Sequence, residues 1–129
     1  MNRNELFDYI NGYKSLIKAD NAIADMLVNL KADILNVIKK QNKVIIVGNG
    51  GSAGIASHVA IDLTKNAKIK FINFNEASLI TCFANDFGYE KWVEKAIEYY
   101  GEKGDMLIAI SSSGTSKNII NGVTAAKNI

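Results

Sequence analysis

The sequence predicts an α/β fold, a parallel sheet with helices on both faces. Short aliphatic runs alternate along the chain with segments of helical period. One of these runs, Val44-Ile45-Ile46-Val47, has four aliphatic residues in succession, the pattern of a strand buried on both faces. Two of the runs end in polar, glycine-bearing loops that lead into further helices, and ligands of open parallel sheets bind outside the carboxyl ends of their strands.

Two helices precede the sheet. Leu6, Tyr9, Ile10, Tyr13, Leu16 and Ile17 recur at helical spacing, with Gly12 a weak point in the middle. Asp20 or Asn21 is placed to cap a second helix, along which Ile23, Met26, Leu27, Leu30, Ile34, Val37 and Ile38 form one stripe. A stripe this apolar needs a partner, either the sheet of its own subunit or a helical bundle shared between subunits. Residues 1–42 therefore read as N-terminal helices suited to oligomerisation, and residues 43–129 as the α/β domain.

Within that domain, Lys43 to Val47 forms the first strand and Ser52 to Lys65 the first crossover helix. Lys68 to Asn73 is a second strand. Glu76 to Asn85 and Tyr89 to Tyr100 are helical around a turn at Asn85-Asp86-Phe87-Gly88. Asp105 to Ile110 is a third strand, entered through Gly101 and Gly104, and Lys117 to Ile129 begins another helix.

The loop after the first strand has the chemistry of an anion site. Gly50 and Gly51 remove side chains that would hold a ligand off the backbone, so N–H groups at the start of the next helix can point outward together. Ser52 adds a hydroxyl donor. A tight strand-to-helix turn that binds nothing would need the same glycines. The loop after the third strand, Ser111-Ser112-Ser113-Gly114-Thr115-Ser116, leaves from the same sheet edge, and the pairing of the two loops favours a shared phosphate. His58 and Asp62, four residues apart, lie on one face of the crossover helix. They can act together on a substrate or a metal, or form an ordinary surface pair.

Composition narrows the function classes. The chain has 129 residues, 48% hydrophobic and 22% charged, with a formal net charge of +2. That is one domain able to bury a core, and the charge is too small to argue for nucleic acid. Its single cysteine, Cys82, excludes an internal disulfide and a cysteine zinc cage. Lying in the apolar run Ser78 to Ala84, Cys82 is expected to be a buried packing residue. Met1 to Ile10 mixes charges among its apolar residues and is no signal peptide, and no apolar run approaches membrane-spanning length. A cytoplasmic protein without membrane contact is expected. Gly48, Gly50 and Ala53 fit a dinucleotide-binding glycine pattern, but the acidic residue needed about 20 positions later is absent from Thr64 to Lys70, so no nucleotide is expected.

GNGGSAGIASHVAIDL from Gly48, TCFANDFGYE from Thr81 and ISSSGTS from Ile110 together resemble the SIS (sugar isomerase) domain, and within it the phosphoheptose isomerase group, from about Asn21 onward. The resemblance implies a three-layer α/β/α fold with a parallel sheet of flavodoxin-like order and an isomerase of sedoheptulose 7-phosphate working in the cytoplasm as a homotetramer. It implies that Asn49, Gly50, Gly51, Asn85 and Asp86 contact the sugar, and that Ser52, Ser111, Ser112, Ser113 and Ser116 cradle the phosphate. His58 matches a zinc ligand of some relatives, and Asp62 falls where the family has a glutamate that is both metal ligand and catalytic base. The aspartate is one methylene shorter, a shortfall of roughly 1.5 Å. The family continues through two more strands and a final helix that adds a glutamine and a histidine to the site. The sheet is therefore expected to be truncated after the third strand, which is left as an open apolar edge, with the 129 residues a fragment or the ordered part of a longer protein.

Overall fold

The structure, a computed structural model, describes residues 1–18 and 20–129. They form two compact units, Met1–Asp33 and Ile34–Ile129.

The first unit holds α1 (Arg3–Leu16) and most of α2 (Asn21–Lys39). Asn2 caps α1 through a capping box with Glu5. Asp20 caps α2, its Oδ1 accepting from the Ile23 N–H at 2.9 Å. Leu6, Tyr9, Ile10, Tyr13 and Leu16 of α1 and Ile23, Met26 and Leu27 of α2 are all exposed. Of the long stripe, Ile34 and Val37, in the second unit, pack against the core that holds Val44, Ile46 and Phe71.

The second unit is built on a parallel sheet of order β2-β1-β3, made from β1 (Val44–Gly48), β2 (Phe71–Asn73) and β3 (Met106–Ile110). Side chains of β1 alternate between two cores. Val44 and Ile46 meet α3 (Gly51–Ala67) through Ala56 and Ala60, together with Phe71. Ile45 and Val47 face Trp92, Val93, Ala96 and Ile97 of α5 (Trp92–Tyr100) and Ile119 of α6 (Lys117–Ala126). Each fully buried aliphatic side chain of β1 contributes about 1.5–3 kcal/mol, which explains the uninterrupted run of four. Among the described residues β3 pairs with β1 alone and lies at an edge of the sheet, with all five residues half-buried.

Several boundaries move for identifiable reasons. β2 begins at Phe71 rather than Lys68, because Lys68 takes a left-handed conformation that closes α3, its N–H bonding the Leu63 carbonyl. Asn85, Asp86 and Phe87 are not a turn. They form the last turn of α4 (Ala77–Phe87), which stops at Gly88. A 3₁₀ turn at Tyr89–Lys91 then leads into α5, and α6 ends at Ala126 rather than continuing to Ile129. Cys82 is exposed, not buried. Leu79, Ile80 and Phe83 form the face of α4 that packs on the core, and the helical period sends Ser78, Cys82 and Asp86 to another side.

Helices α5 and α6 approach closely at Gly122. A Cβ there would lie 2.9 Å from Val93 Cβ, and neither backbone can yield without moving a helix. Gly122→Ala is expected to lower stability by about 1–3 kcal/mol. Adding Val93→Ala should recover part of that loss in urea melts, and strictly additive losses would refute the collision.

At the amino ends of the strands, Asp105 joins β1 to the loop before β3. Its side chain is 3% exposed and lies 2.5 Å from Lys43 Nζ. It accepts from the backbone N–H groups of Lys43 (3.0 Å) and Glu102 (2.8 Å) and from Asn42 Nδ2 (3.3 Å). Burial pushes the carboxyl up, but these hydrogen bonds, the Lys43 N–H first, outweigh it and hold Asp105 below its ordinary value of 3.8.

Candidate active site at the carboxyl edge of the sheet

The register of the sheet brings the two polar loops together. Val47 pairs with Ala109 and Gly48 with Ile110, so Asn49 and Ser111 leave adjacent strands side by side. Gly48 is required for the first departure: a Cβ there would sit 2.6 Å from the Ser52 carbonyl carbon, so only glycine lets the loop fold back on α3. Gly50 follows with φ +54°, and neither it nor Gly51 has an atom within 4 Å of where a Cβ would stand. The backbone of both is therefore open to a ligand.

The starts of α3 and α6 have no side-chain cap, nor has α5, which continues from the 3₁₀ turn, whereas Asn2, Asp20 and Glu76 cap α1, α2 and α4. An uncapped start leaves amide donors for another acceptor. In the serine loop, Ser111 Oγ accepts from the Gly114 N–H and Ser113 Oγ from the Thr115 N–H, each at 3.2 Å. Both hydroxyls act as acceptors in these bonds, so their O–H groups remain available as donors. Ser112 is exposed, and Ser52 and Ser116 are half-buried in the first turn and at the cap position of their helices.

Asn49 is among the residues the sequence assigns to the site; the amide partners that hold it and the first loop in place are not. Asn118 is 3% exposed and exchanges two hydrogen bonds with Asn49: Asn49 Nδ2 donates to Asn118 Oδ1 at 3.0 Å, and Asn118 Nδ2 donates to Asn49 Oδ1 at 2.8 Å. The Tyr89 hydroxyl also donates to Asn49 Oδ1, at 3.1 Å. On the other side of β1, Asn75 Oδ1 accepts from the Gly48 N–H (3.1 Å) while its Nδ2 donates to the Gly48 carbonyl (2.7 Å). Asn73 Nδ2 donates to the Ile46 carbonyl at 2.8 Å, and Ser57 donates to Asn73 Oδ1 at 3.1 Å. The one signal for this ladder was the polar-apolar-polar order of Asn73-Phe74-Asn75, which continues the strand period past the end of β2.

The remaining predicted residues lie farther out. Asn85 donates to Asp86 Oδ1 at 2.9 Å, both exposed at the end of α4. Tyr89, just beyond them, reaches the first loop. His58 Nε2 stands 3.3 Å from Asp62 Oδ2, with side chains 78% and 50% exposed. They lie roughly 10 and 16 Å along the axis of α3 from Gly51. Two donors fall short of the three or four protein ligands that zinc takes. Among the described residues no three His, Cys, Asp or Glu side chains gather to hold a metal, so the residues present do not by themselves make a zinc site. A groove of about 470 Å³ between α3 and β2, lined by Ser57, Ile61, Lys65 and Phe71 among others, includes none of the predicted site residues.

A parallel sheet with two uncapped, loop-led helices side by side at its carboxyl edge defines the class of protein, and sequence comparison gives it a name: the SIS domain matches residues 8–129, and the chain belongs to that family. The relatives it resembles within the family are phosphoheptose isomerases. The enzyme of Helicobacter pylori strain P12 is 34% identical over 128 residues, covering 95% of this chain and 67% of the relative. That of Fusobacterium nucleatum is 41% identical over 99 residues, covering 73% and 51%. A solved phosphoheptose isomerase from Neisseria gonorrhoeae superposes with a TM-score of 0.86 at 27% identity, over 97% of this chain and 68% of that one. The chain spans about half to two thirds of the length of the curated relatives it matches.

Proposed function

We propose that the chain forms part of an aldose-ketose isomerase that converts sedoheptulose 7-phosphate to D-glycero-D-manno-heptose 7-phosphate, supplying heptose for a bacterial surface polysaccharide. The observation that carries the proposal is the register of β1 and β3, which sets GNGGS beside SSSGTS at the starts of α3 and α6. In this reading the phosphate sits on the two helix starts, where the helix dipoles favour an anion. Ser52, Ser111, Ser112, Ser113 and Ser116 donate to it. Asn49, Gly50, Gly51, Asn85 and Asp86 address the sugar hydroxyls.

Asp62 lies roughly 16 Å along α3 from Gly51, farther than a seven-carbon sugar phosphate held at the loops extends. In this reading the base that meets the sugar is therefore the Asp62 of a neighbouring copy of the chain. Asp62 removes a proton from C1, next to the C2 carbonyl, and an enediol forms. The same carboxylate returns the proton to C2, while the C1 hydroxyl gives up its proton to become the aldehyde and the C2 oxygen gains one. Acid-base assistance of this kind contributes about 10² to 10⁴ in rate. His58, next to Asp62, orients the carboxylate. Phosphate contacts remote from C1 and C2 supply the binding energy that holds the reacting carbons in place. The exposed apolar residues of α1 and α2 support assembly into a homo-oligomer, a tetramer in this reading. No helix among the described residues is long and apolar enough to cross a membrane.

A second reading is a SIS module that binds a phosphosugar without turning it over, favoured by the exposure of His58 and Asp62. Incubation with sedoheptulose 7-phosphate, with and without zinc, separates the two. Anomeric proton signals of the aldose in NMR spectra are the expected result. A shifted phosphorus resonance without product would replace the enzyme reading with the binding module, and no shift at all would overturn both.

A further inference from the structure

We infer that Asn118 is a positioning residue of this site and that it acts through Asn49. The two carboxamides and the Tyr89 hydroxyl form a clamp that fixes the first loop to the start of α6, so that both loops address one phosphate. The inference rests on the phosphosugar reading above.

The hydrogen-bond count leads to it. Asn49 Oδ1 accepts from Asn118 Nδ2 at 2.8 Å and from the Tyr89 hydroxyl at 3.1 Å, which uses both lone pairs of a carboxamide oxygen. One Asn49 Nδ2 proton goes to Asn118 Oδ1 at 3.0 Å. The side chain of Asn49 is thus largely committed within the protein, and its service to a ligand falls to its backbone and that of Gly50 and Gly51. Three separate elements supply the partners: the loop after β1, the 3₁₀ turn after α4, and the first turn of α6. Asn121 ties two of them again, its Nδ2 donating to the Glu90 carbonyl at 2.9 Å. A reciprocal amide pair in which one member is buried is stiff, since losing either member leaves polar atoms without partners. A solvated cap at the start of α6 would need neither the burial of Asn118 nor a partner 69 residues away.

Calorimetric titration of the full chain with sedoheptulose 7-phosphate tests the clamp. Asn118→Ala and Asn49→Ala should each weaken binding by about 10- to 100-fold, the scale of one or two lost hydrogen bonds to the ligand, at temperatures where circular dichroism shows both variants folded. The double variant should bind no worse than the weaker single one, because both break the same pair. Tyr89→Phe, which keeps the ring, should weaken binding by a smaller factor. Native affinity in folded Asn118→Ala, or additive losses in the double variant, would overturn the proposal. Failure of the unaltered chain to bind the phosphosugar would sink the parent reading instead. The clamp itself is then judged without ligand: Asn118→Ala should move the Gly50 and Gly51 amide resonances, and unmoved resonances would refute it.

Discussion

Asp62→Asn is expected to lower turnover of sedoheptulose 7-phosphate by about 10² to 10⁴-fold while leaving its affinity within a few-fold. The substitution keeps the shape of the side chain and its place beside His58 but removes the basic carboxylate that takes the C1 proton in the proposed mechanism. Binding survives in this account because the phosphate is held at the helix starts and not by Asp62. A fall in affinity equal to the fall in turnover would assign Asp62 to binding rather than proton transfer. Asp62→Glu probes the reach of the base. It carries the carboxylate about 1.5 Å farther, and if the site is built around the shorter side chain, turnover should drop by about 10-fold or more. A gain would show that the aspartate falls short of the reacting carbon.

The second large effect concerns stability. Asp105→Asn is expected to cost about 2–3 kcal/mol at pH 7, since it leaves the Lys43 ammonium, itself 14% exposed, without its main counter-charge. The pH dependence follows from the direction of each shift. Asp105 is held below its ordinary 3.8 in the folded protein, so its contribution is present above that value and fades as pH falls through the lower folded value. Burial pushes Lys43 down, but its hydrogen bond and charge interaction with Asp105, then those with Glu102, outweigh burial and hold it above 10.5. Its share is therefore present below 10.5 and lost as pH rises through the folded value. The gap between the two proteins in urea melts should be widest between about pH 4 and 10 and narrow progressively below 3.8. A gap as wide at pH 3 as at pH 7 would show that shape, not charge, holds this corner.

Both predictions draw on residues of different legibility. The run Val44 to Val47 could be read as a doubly buried strand because period-2 alternation disappears only when both faces are covered. The glycine and serine loops followed from it, since each closes an aliphatic run. The structure sets them side by side at one sheet edge through the pairing of Gly48 with Ile110. Asn118 carries no sequence signal, because a polar residue in the first turn of a helix ordinarily faces water, and its burial depends on Asn49, 69 positions earlier. Cys82 departs from its expected burial for the opposite reason: an apolar run that is helical sends some members outward, and the run alone does not say which. In the sequence Asp105 marks only the start of a strand, because its partners Asn42 and Lys43 lie some sixty residues away. Spacing within one helix fixes the pair His58 and Asp62, and the strand pattern brings the two loops to one sheet edge, whereas single side-chain partners such as Asn49 and Asn118 are not given by sequence order.

The asparagine ladder beside β1 carries a different lesson. Peptide groups make the first rungs between β1 and β2, but the last ones, at Ile46 and Gly48, are made by the carboxamides of Asn73 and Asn75. A peptide rung is common to every residue type and is indifferent to most substitutions. A carboxamide rung is encoded by a single codon, so one nucleotide change can loosen or reset the spacing just below the first loop while the rest of the sheet stays as it was. The strand next to the candidate site is thereby open to adjustment by point mutation, a place where a lineage could retune the mouth of the site without rebuilding its floor.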